Sequence, residues 1–205
     1  MLRQPAQALL IDLDGVLRRW DPAVGKAVEE SYDLPAGTLL TTAMTWDLLR
    51  AAVAGELTDA QWMAAVAARL PLPDSDAADA VAKWQAHRGS VDPDVLAFIR
   101  QVRAAGRPVG LATNATDLLR RDLEALGLAG EFDAVISSWE LKIHKPAPEF
   151  FAAACAELGV EPPWVLFVDD DDRVVRGARA AKLPAFRWTG AADLSYLGRA
   201  LGLPA

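Results

Sequence analysis

The sequence predicts an α/β protein in which helices cover both faces of a parallel β-sheet and an all-helical segment is inserted after the first strand. Three observations support this fold class. From Asp92 onward, short apolar runs alternate with helical patterns. An earlier apolar run at residues 8–13 stands apart from them, because the pattern between residues 20 and 90 is helical throughout. Several of the apolar runs end in polar side chains, as strands do where a parallel sheet binds its ligand.

The first predicted strand delivers two carboxylates to its end. Its apolar run leads into Asp12, Leu13, Asp14 and Gly15. Residues two apart in an extended segment point to the same side, so Asp12 and Asp14 share one side, and Gly15 allows a sharp turn. Two carboxylates about 4 Å apart repel by roughly 4 kcal/mol at an effective dielectric of about 20, which favours a bound cation or a shared proton. A plain strand followed by an Asp-Gly turn is the alternative.

The next stretch is predicted to be helical, with no strand in it. Asp21 and Pro22 form a suitable N-cap and first helical position, and Thr58 with Gln61 has the spacing of a capping box. The periodicity predicts helices at about residues 21–32, 35–43, 45–53, 58–69 and 76–87. Three tryptophans of this region are interpreted as packing residues: Trp46, Trp62 and Trp84.

Helices and strands alternate in the remainder of the chain. A helix is predicted from Asp92 to about Ala105, where Gly106 ends it. Buried strands are predicted at about residues 108–112, 134–137, 165–168 and 184–188, with helices at 116–126, 148–158, 172–181 and from 191. Such units form parallel sheets, so we expect the first strand to belong to the same sheet.

Composition excludes several classes of function. The 205 residues are 52% hydrophobic and 24% charged, which suits one globular domain or a domain with a smaller insertion. A net charge of -7 leaves no broad basic face, so nucleic acid is not expected as a partner. The single cysteine, Cys155, is compatible with a reducing, cytoplasmic setting. No targeting segment or membrane association is expected, and small molecules are the expected partners.

Polar residues also follow the later strands. Because the carboxyl ends of parallel strands meet at one edge of the sheet, we expect these side chains to lie near Asp12 and Asp14. They are Thr113 and Asn114 after the second strand, Lys145 between the third and fourth strands, and Asp169 to Asp172 after the fourth. Each alone has a plain explanation as a helix cap, a surface lysine or a solvated helix start. Together they favour one common site.

This combination of groups suits phosphoryl transfer. One aspartate can attack phosphorus while a magnesium ion, held by carboxylate oxygens, offsets the repulsion between the nucleophile and the phosphoryl dianion. A lysine and a hydroxyl can bind the phosphoryl oxygens. A second aspartate, two residues on, can protonate the leaving alcohol and then activate water.

The order of these residues resembles the four motifs of the haloacid dehalogenase (HAD) superfamily, over essentially the whole chain. The first motif resembles Asp12 to Gly15, the second Thr113 in GLATNAT, the third Lys145 in HKPAPEFF, and the fourth Asp169 and Asp170 in LFVDDDD. The resemblance implies a Rossmann-like core of residues 1–19 and 89–205 with sheet order 5-4-1-2-3. Residues 20–88 would then be a helical cap inserted between the first two motifs.

The resemblance also implies a function, that of a magnesium-dependent phosphatase of a small phosphorylated metabolite with an aspartyl-phosphate intermediate. The expected catalytic residues are Asp12 as nucleophile, Asp14 as general acid and base, and Lys145. The expected substrate-binding residues are Thr113, Asn114 and Arg18. The expected magnesium ligands are Asp12, Asp14, Asp170 and Asp169, with Asp170 the direct ligand of the acidic pair and Asp169 the outer-sphere one.

Some features depart from the pattern or leave alternatives open. Many relatives have asparagine at the position of Val174 and glycine in the loop where Ile143 and His144 stand. Arg18 and Arg19 can either reach a substrate anion or bond the hinge of the cap. A phosphomutase, a dehalogenase or a non-catalytic binding protein on the same scaffold are alternative functions. Neither the substrate nor the choice between monomer and homodimer is predicted.

Overall fold

The computed structural model describes residues 4–204. Their strands are β1 (Ala8–Ile11), β2 (Arg18–Arg19), β3 (Ser90–Val91), β4 (Val109–Thr113), β5 (Ala134–Ser137), β6 (Val165–Asp169) and β7 (Ala185–Arg187). Their α-helices are α1 (Pro22–Ser31), α2 (Thr38–Ala43), α3 (Trp46–Val53), α4 (Asp59–Ala67), α5 (Asp74–Gln85), α6 (Pro93–Ala104), α7 (Leu119–Ala125), α8 (Ser138–Leu141), α9 (Pro148–Leu158), α10 (Asp172–Ala180) and α11 (Leu194–Ala200). None of these helices is long and apolar enough to cross a membrane.

Five strands form one parallel sheet in the order β5-β4-β1-β6-β7. Counted as core strands one to five, this order is 3-2-1-4-5, which is the predicted order taken from the opposite edge. The predicted α/β class and topology are therefore confirmed. Because β1 is central and fully buried, the residues that follow it emerge at the middle of the carboxyl edge.

Apolar residues on the two faces of the sheet belong to different clusters. Leu9 and Ile11 of β1 pack in one cluster, whereas Ala8 and Leu10 pack in the other. This is the two-residue alternation of a strand that is covered on both sides. The inserted helices α1–α5 enclose a third cluster of their own. The insertion therefore has a hydrophobic core that is separate from the two clusters of the sheet.

Two helices begin at the capping residues that the sequence indicates. The Asp21 carboxylate caps α1 by accepting from Ala23 N at 2.8 Å, and Thr58 and Gln61 form the predicted capping box of α4. The start of α7 differs, because residues 116–118 form a turn and the helix begins only at Leu119. The four-residue helix α8 was not predicted, since a single turn is too short to give a periodic pattern.

A second unpredicted feature is the antiparallel ribbon of β2 and β3. Arg18 lies opposite Val91 and Arg19 opposite Ser90. Two-residue strands give no alternation that a sequence pattern can reveal. The ribbon joins the chain segment that enters the helical insertion to the segment that leaves it.

The tryptophans of the insertion have different environments. Trp62 and Trp84 pack against the insertion cluster, as predicted. The interpretation of Trp46 as a packing residue is wrong, because 52% of it is exposed. Its ring meets the His144 ring edge-on with centroids 6.0 Å apart, and the Arg173 guanidinium lies 5.7 Å from its centroid. Trp46 therefore lies over the carboxyl edge of the sheet.

Candidate active site

Asp12 lies directly beyond the central strand, where its backbone N–H donates to Val168 O at 2.9 Å and keeps it in line with the sheet. Its carboxylate is nearly buried. Oδ1 accepts from Leu13 N at 2.7 Å and lies 2.8 Å from Lys145 Nζ. Among residues 4–204 no donor contacts Oδ2, so this oxygen is the one left available for chemistry.

Lys145 is only 2% exposed, and its ammonium lies between two carboxylates. Nζ is 2.8 Å from Asp12 Oδ1 and 2.7 Å from Asp169 Oδ2. Burial alone would lower the pKa of Lys145, but the two carboxylates outweigh it and raise the pKa above its usual value. The side chain is therefore a fixed buried cation.

Asn114 holds the backbone of Lys145 with both ends of its amide. Asn114 Oδ1 accepts from Lys145 N at 2.8 Å, and Nδ2 donates to Lys145 O at 3.1 Å. The sequence prediction brought Asn114 to the correct edge, as a substrate-binding residue. Its observed contacts are instead those of a residue that positions the lysine.

Asp169 and Asp170 end β6 in different environments. Both oxygens of Asp169 are engaged, Oδ2 by Lys145 Nζ at 2.7 Å and Oδ1 by Asp171 N at 2.9 Å. No other residue in the described part of the chain donates to the Asp170 carboxylate. This difference favours Asp170 as the carboxylate that is free to bind a cation.

Gly15 makes room for the Asp170 carboxylate. Its φ of +78° lies in the left-handed region, and a Cβ at this position would come within 2.1 Å of Asp170 Oδ2. Any side chain at residue 15 would therefore displace the carboxylate. The Asp-Gly pair at the end of the first strand is thus required for close approach as well as for the turn.

Three carboxylates offer oxygens for a divalent cation. One oxygen each from Asp12, Asp169 and Asp170 lie within 4.8 Å of one another. Burial raises the pKa of Asp12 to about 8 despite the opposing charge of Lys145, and burial followed by the charge of Asp169 raises that of Asp170. A bound cation would favour the charged form of these carboxylates, and hard oxygen donors of this kind suit Mg²⁺. The residues therefore fit the ion that was predicted from the sequence.

Thr113 contributes a hydroxyl that lacks a partner. The residue ends β4 and is 1% exposed. Within residues 4–204 its Oγ1 makes no hydrogen bond. A buried hydroxyl without a partner costs stability, on the order of 1–3 kcal/mol. Binding sites are where such a cost is tolerated, because a ligand supplies the missing partner.

Asp14 is near this group, but its carboxylate is engaged elsewhere. Arg18 binds it with both Nε and Nη2, at 2.7 and 2.8 Å, and Trp20 Nε1 donates to it at 2.6 Å. The carboxylate is 37% exposed. It is not one of the three carboxylates that converge on the candidate cation position, although Asp14 was expected among the metal ligands.

Arg18 is buried, and its contacts are those expected of a residue at the hinge of the insertion rather than of one that binds a substrate anion. Its Nη1 donates to Asp122 Oδ2 at 2.8 Å, and its guanidinium lies 4.6 Å from the centroid of the Trp20 indole. Arg88, from the segment that leaves the insertion, binds the same Asp122 at 3.0 and 2.7 Å. A single carboxylate on α7 thus ties together both connections of the insertion.

Arg19 makes a similar contact on the other side of the ribbon, where it binds Asp92, the N-cap of α6, through Nε at 2.7 Å. Sequence reasoning missed Asp122 and Arg88 altogether. Charged residues on predicted helix surfaces carry no signal that they will be buried and paired, because a partner distant in the sequence decides this.

Comparisons with known proteins give one matching family and several similar proteins. The family profile of haloacid dehalogenase-like hydrolases matches residues 6–182. The chain is similar to fructose-1-phosphate phosphatase YqaB of Escherichia coli, with 30% identity over 185 residues, 86% of this chain and 93% of that protein. It is similar in fold to the HAD family enzyme BT-2542 from Bacteroides thetaiotaomicron, solved with magnesium and inorganic phosphate, with a TM-score of 0.72 and 20% identity over 94% of this chain and 98% of that one. The L-2-haloacid dehalogenase from Xanthobacter autotrophicus is similar too, with a TM-score of 0.66 and 26% identity over 89% of this chain and 77% of that one.

Proposed function

Since this chain belongs to the haloacid dehalogenase-like hydrolases, we propose that it is a magnesium-dependent phosphatase of a small phosphorylated metabolite that forms an aspartyl-phosphate on Asp12. One observation carries the proposal. The buried Lys145 ammonium bridges Asp12 and Asp169, next to the unengaged carboxylate of Asp170 and the unpartnered hydroxyl of Thr113. Lys145 and Thr113 can bind the oxygens of a phosphoryl dianion, and Asp12 can attack its phosphorus. Asp170 can hold the cation that offsets the negative charge.

The first half of the reaction uses the free oxygen of Asp12. Oδ2 forms a bond to phosphorus while the bond from phosphorus to the ester oxygen breaks. Lys145 and Thr113 bind phosphoryl oxygens, and Asp14 gives a proton to the leaving alkoxide. In the second half, water attacks phosphorus, Asp14 takes the proton from that water, and the bond to Asp12 breaks to release phosphate.

The contacts of Asp14 suit the second half directly. Arg18 donates to both oxygens of this carboxylate, and the second half uses the same group as the acceptor of a proton from water. To act as the acid, Asp14 must carry a proton, taken from solvent or kept from the water of the preceding turnover, and must exchange the guanidinium for the oxygen of the leaving group. Its partial exposure leaves room for this rotation.

The cluster of carboxylate oxygens supports magnesium as the metal of the proposed reaction. Asp12 and Asp170 would hold the ion directly, and Asp169 would act through the outer sphere, because its two oxygens are already engaged. When bound, the ion supplies the positive charge that offsets repulsion between Asp12 and the phosphoryl dianion. Asp14, the other expected ligand, binds Arg18 and Trp20 through its carboxylate. To reach the ion it would have to release these contacts or use another of its atoms.

The insertion is proposed as the part that selects the substrate. Residues 20–88 would form the cap domain, and residues 1–19 and 89–205 the catalytic core. The similarity to a fructose-1-phosphate phosphatase makes sugar phosphates the first substrate class to test. A reducing, cytoplasmic setting is part of the same proposal.

The test is a phosphatase assay of the purified protein with p-nitrophenyl phosphate and a panel of sugar phosphates. Turnover should require magnesium and stop with a chelator. Asp12→Asn should lower kcat by several orders of magnitude, about 10⁴-fold or more, without a change in fold. Hydrolysis of 2-chloropropionate without metal, and no phosphatase activity, would overturn the proposal in favour of a dehalogenase.

The two acidic residues of β6 allow a matched comparison. Asp170→Asn should raise the magnesium concentration needed for half-maximal activity more than Asp169→Asn does. Asp169→Asn should instead lower kcat at saturating magnesium, because it removes a partner of Lys145. The reverse order would assign the direct contact to Asp169.

A further inference from the structure

Arg187 is a cation at the carboxyl edge of the sheet that the proposed chemistry leaves without a role. It is the last residue of β7 and lies opposite Asp169 in the sheet register. The four sequence motifs end with the fourth core strand. The fifth core strand, β7, therefore places Arg187 beside the candidate active site without any role given by the motifs. Position alone makes it a candidate for contact with a ligand.

Arg187 lines an open cleft of about 450 Å³ next to the acidic cluster. The cleft is lined by Gly15, Arg19, Asp170, Arg187, Trp188, Thr189 and Gly190. Asp170 is its one carboxylate, and that group belongs to the candidate magnesium site. With a divalent cation bound to Asp170, the remaining charge on the walls of the cleft comes from two guanidinium groups.

The two arginines differ in how far their charge is already balanced. Arg19 is bound to the Asp92 carboxylate through Nε at 2.7 Å. The Nε of Arg187 donates to the main-chain oxygen of Asp170 at 3.2 Å, and within residues 4–204 no carboxylate pairs with it. Because Arg187 is exposed and held only through Nε, its two Nη groups are free to form a bidentate contact with an anion.

From this geometry we infer that Arg187, supported by Arg19, forms a second anion subsite beside the phosphoryl site. The substrate it would take is a phosphomonoester that carries a further anionic group, either a carboxylate or a second phosphoryl group. The inference rests on the proposed phosphatase function, since it names the substrate class of the same site. Thr189 is not counted as a donor, because its hydroxyl already donates to Asp193 at 2.9 Å.

The first experiment measures binding without turnover. Thermal shifts in magnesium are compared for phosphonoacetate, 3-phosphonopropionate and 4-phosphonobutyrate, each against the alkylphosphonate of equal length. At least one carboxylate-bearing member should bind about tenfold more tightly than its alkyl partner. Arg187→Gln should remove that difference. A bisphosphonate series, used in the same way, distinguishes a second phosphoryl group from a carboxylate as the preferred anion.

Arg176→Gln is the matched control. Arg176 is an exposed arginine of α10 that pairs with Asp172 at 3.3 Å and lies outside the cleft. The control changes the net charge by the same amount, so any general electrostatic effect appears in both variants. An equal loss in the two variants would overturn the inference.

The second experiment separates the subsite from the phosphatase activity itself. With p-nitrophenyl phosphate, which has no second anion, Arg187→Gln should keep kcat/KM within about twofold of the wild type. With the preferred bis-anionic ester it should lose about tenfold or more, mainly through KM. Absence of any p-nitrophenyl phosphate hydrolysis would count against the proposed function. Equal loss for both esters, or no preference of the wild type for a second anion in either experiment, would overturn the subsite.

Discussion

Arg18 holds together the ribbon, Asp14 and helix α7, and its removal is the sharpest test of how the insertion is attached. Arg18→Gln deletes two contacts to Asp14 at 2.7 and 2.8 Å and one to Asp122 at 2.8 Å. It also removes the guanidinium that stacks 4.6 Å from the Trp20 ring centroid. The side chain of Arg18 is buried, so water cannot replace these partners fully.

The expected loss in the free energy of unfolding depends on which partners Asp14 and Asp122 keep after the substitution. Removal of one partner of a buried ion pair costs about 3–5 kcal/mol when the other charge is left uncompensated. Here Asp122 keeps Arg88, and Asp14 keeps Trp20 and partial access to solvent. We therefore expect the lower end, a loss of about 3 kcal/mol in the free energy of unfolding. For a chain of this length that corresponds to a fall in Tm of about 6–12 °C.

Urea unfolding followed by tryptophan fluorescence and by circular dichroism measures this loss. Arg88→Gln is the control, because Arg88 is more exposed and Asp122 keeps Arg18. The control should cost about 1 kcal/mol or less. Combining Arg18→Gln with Asp122→Asn measures the coupling of the pair: the combined loss should be smaller than the sum of the two single losses, since both variants remove the same contact. The reasoning fails if Arg18→Gln costs less than about 1 kcal/mol or no more than the control.

Three further predictions concern the site and its surroundings. Thr113→Val should leave Tm unchanged or raise it, because the hydroxyl has no hydrogen-bond partner to lose, while kcat/KM should fall about tenfold or more. A fall in Tm would mean that the hydroxyl does have a hydrogen-bond partner in the folded protein. Asp14→Asn should slow the hydrolysis of alkyl phosphates far more than that of p-nitrophenyl phosphate. Rapid-quench kinetics with the aryl ester should give a burst of at most one nitrophenol per site, together with phosphorylated Asp12. Equal losses for the two esters and no burst would exclude Asp14 from acid-base chemistry. Cys155 is buried and burial raises the pKa of its thiol to about 11, so a thiol reagent at neutral pH should label it only as the protein unfolds; rapid native labelling would contradict the burial.

The strands and the edge of the sheet could be predicted because local patterns determine them. Apolar runs fix where β1, β4 and β6 lie, and parallel pairing then forces their ends to one edge. Asp12 and Thr113 needed only this rule to be brought to the same place, whereas Lys145 lies in the loop between α8 and α9 and was placed by its resemblance to the third motif. Their spacing along the chain carried the information, and no side-chain contact had to be known.

The contacts that could not be predicted depend on partners far apart in the sequence. Arg18 and Asp122 are 104 residues apart, and nothing local distinguishes either from a solvated charge. Asn114 was assigned to substrate because its type suits that role, yet the position of the Lys145 backbone determines what its amide binds. Trp46 has helical spacing like Trp62, but the edge of the sheet beside it, rather than the pattern, decides its exposure.

The ribbon of β2 and β3 brings the two ends of the inserted helices side by side. Arg19 pairs with Ser90, and the backbone oxygen of Arg19 comes so near to Gly89 that a Cβ there would lie 2.9 Å from it. A segment whose ends already touch can be exchanged for another of different length at little cost in chain entropy, because the host chain is closed either way. A two-residue turn between Arg19 and Ser90 would complete a hairpin, so the sheet could in principle be made without the insertion. Evolution could thus replace the helices above the site while the carboxylates and the lysine beneath stay as they are.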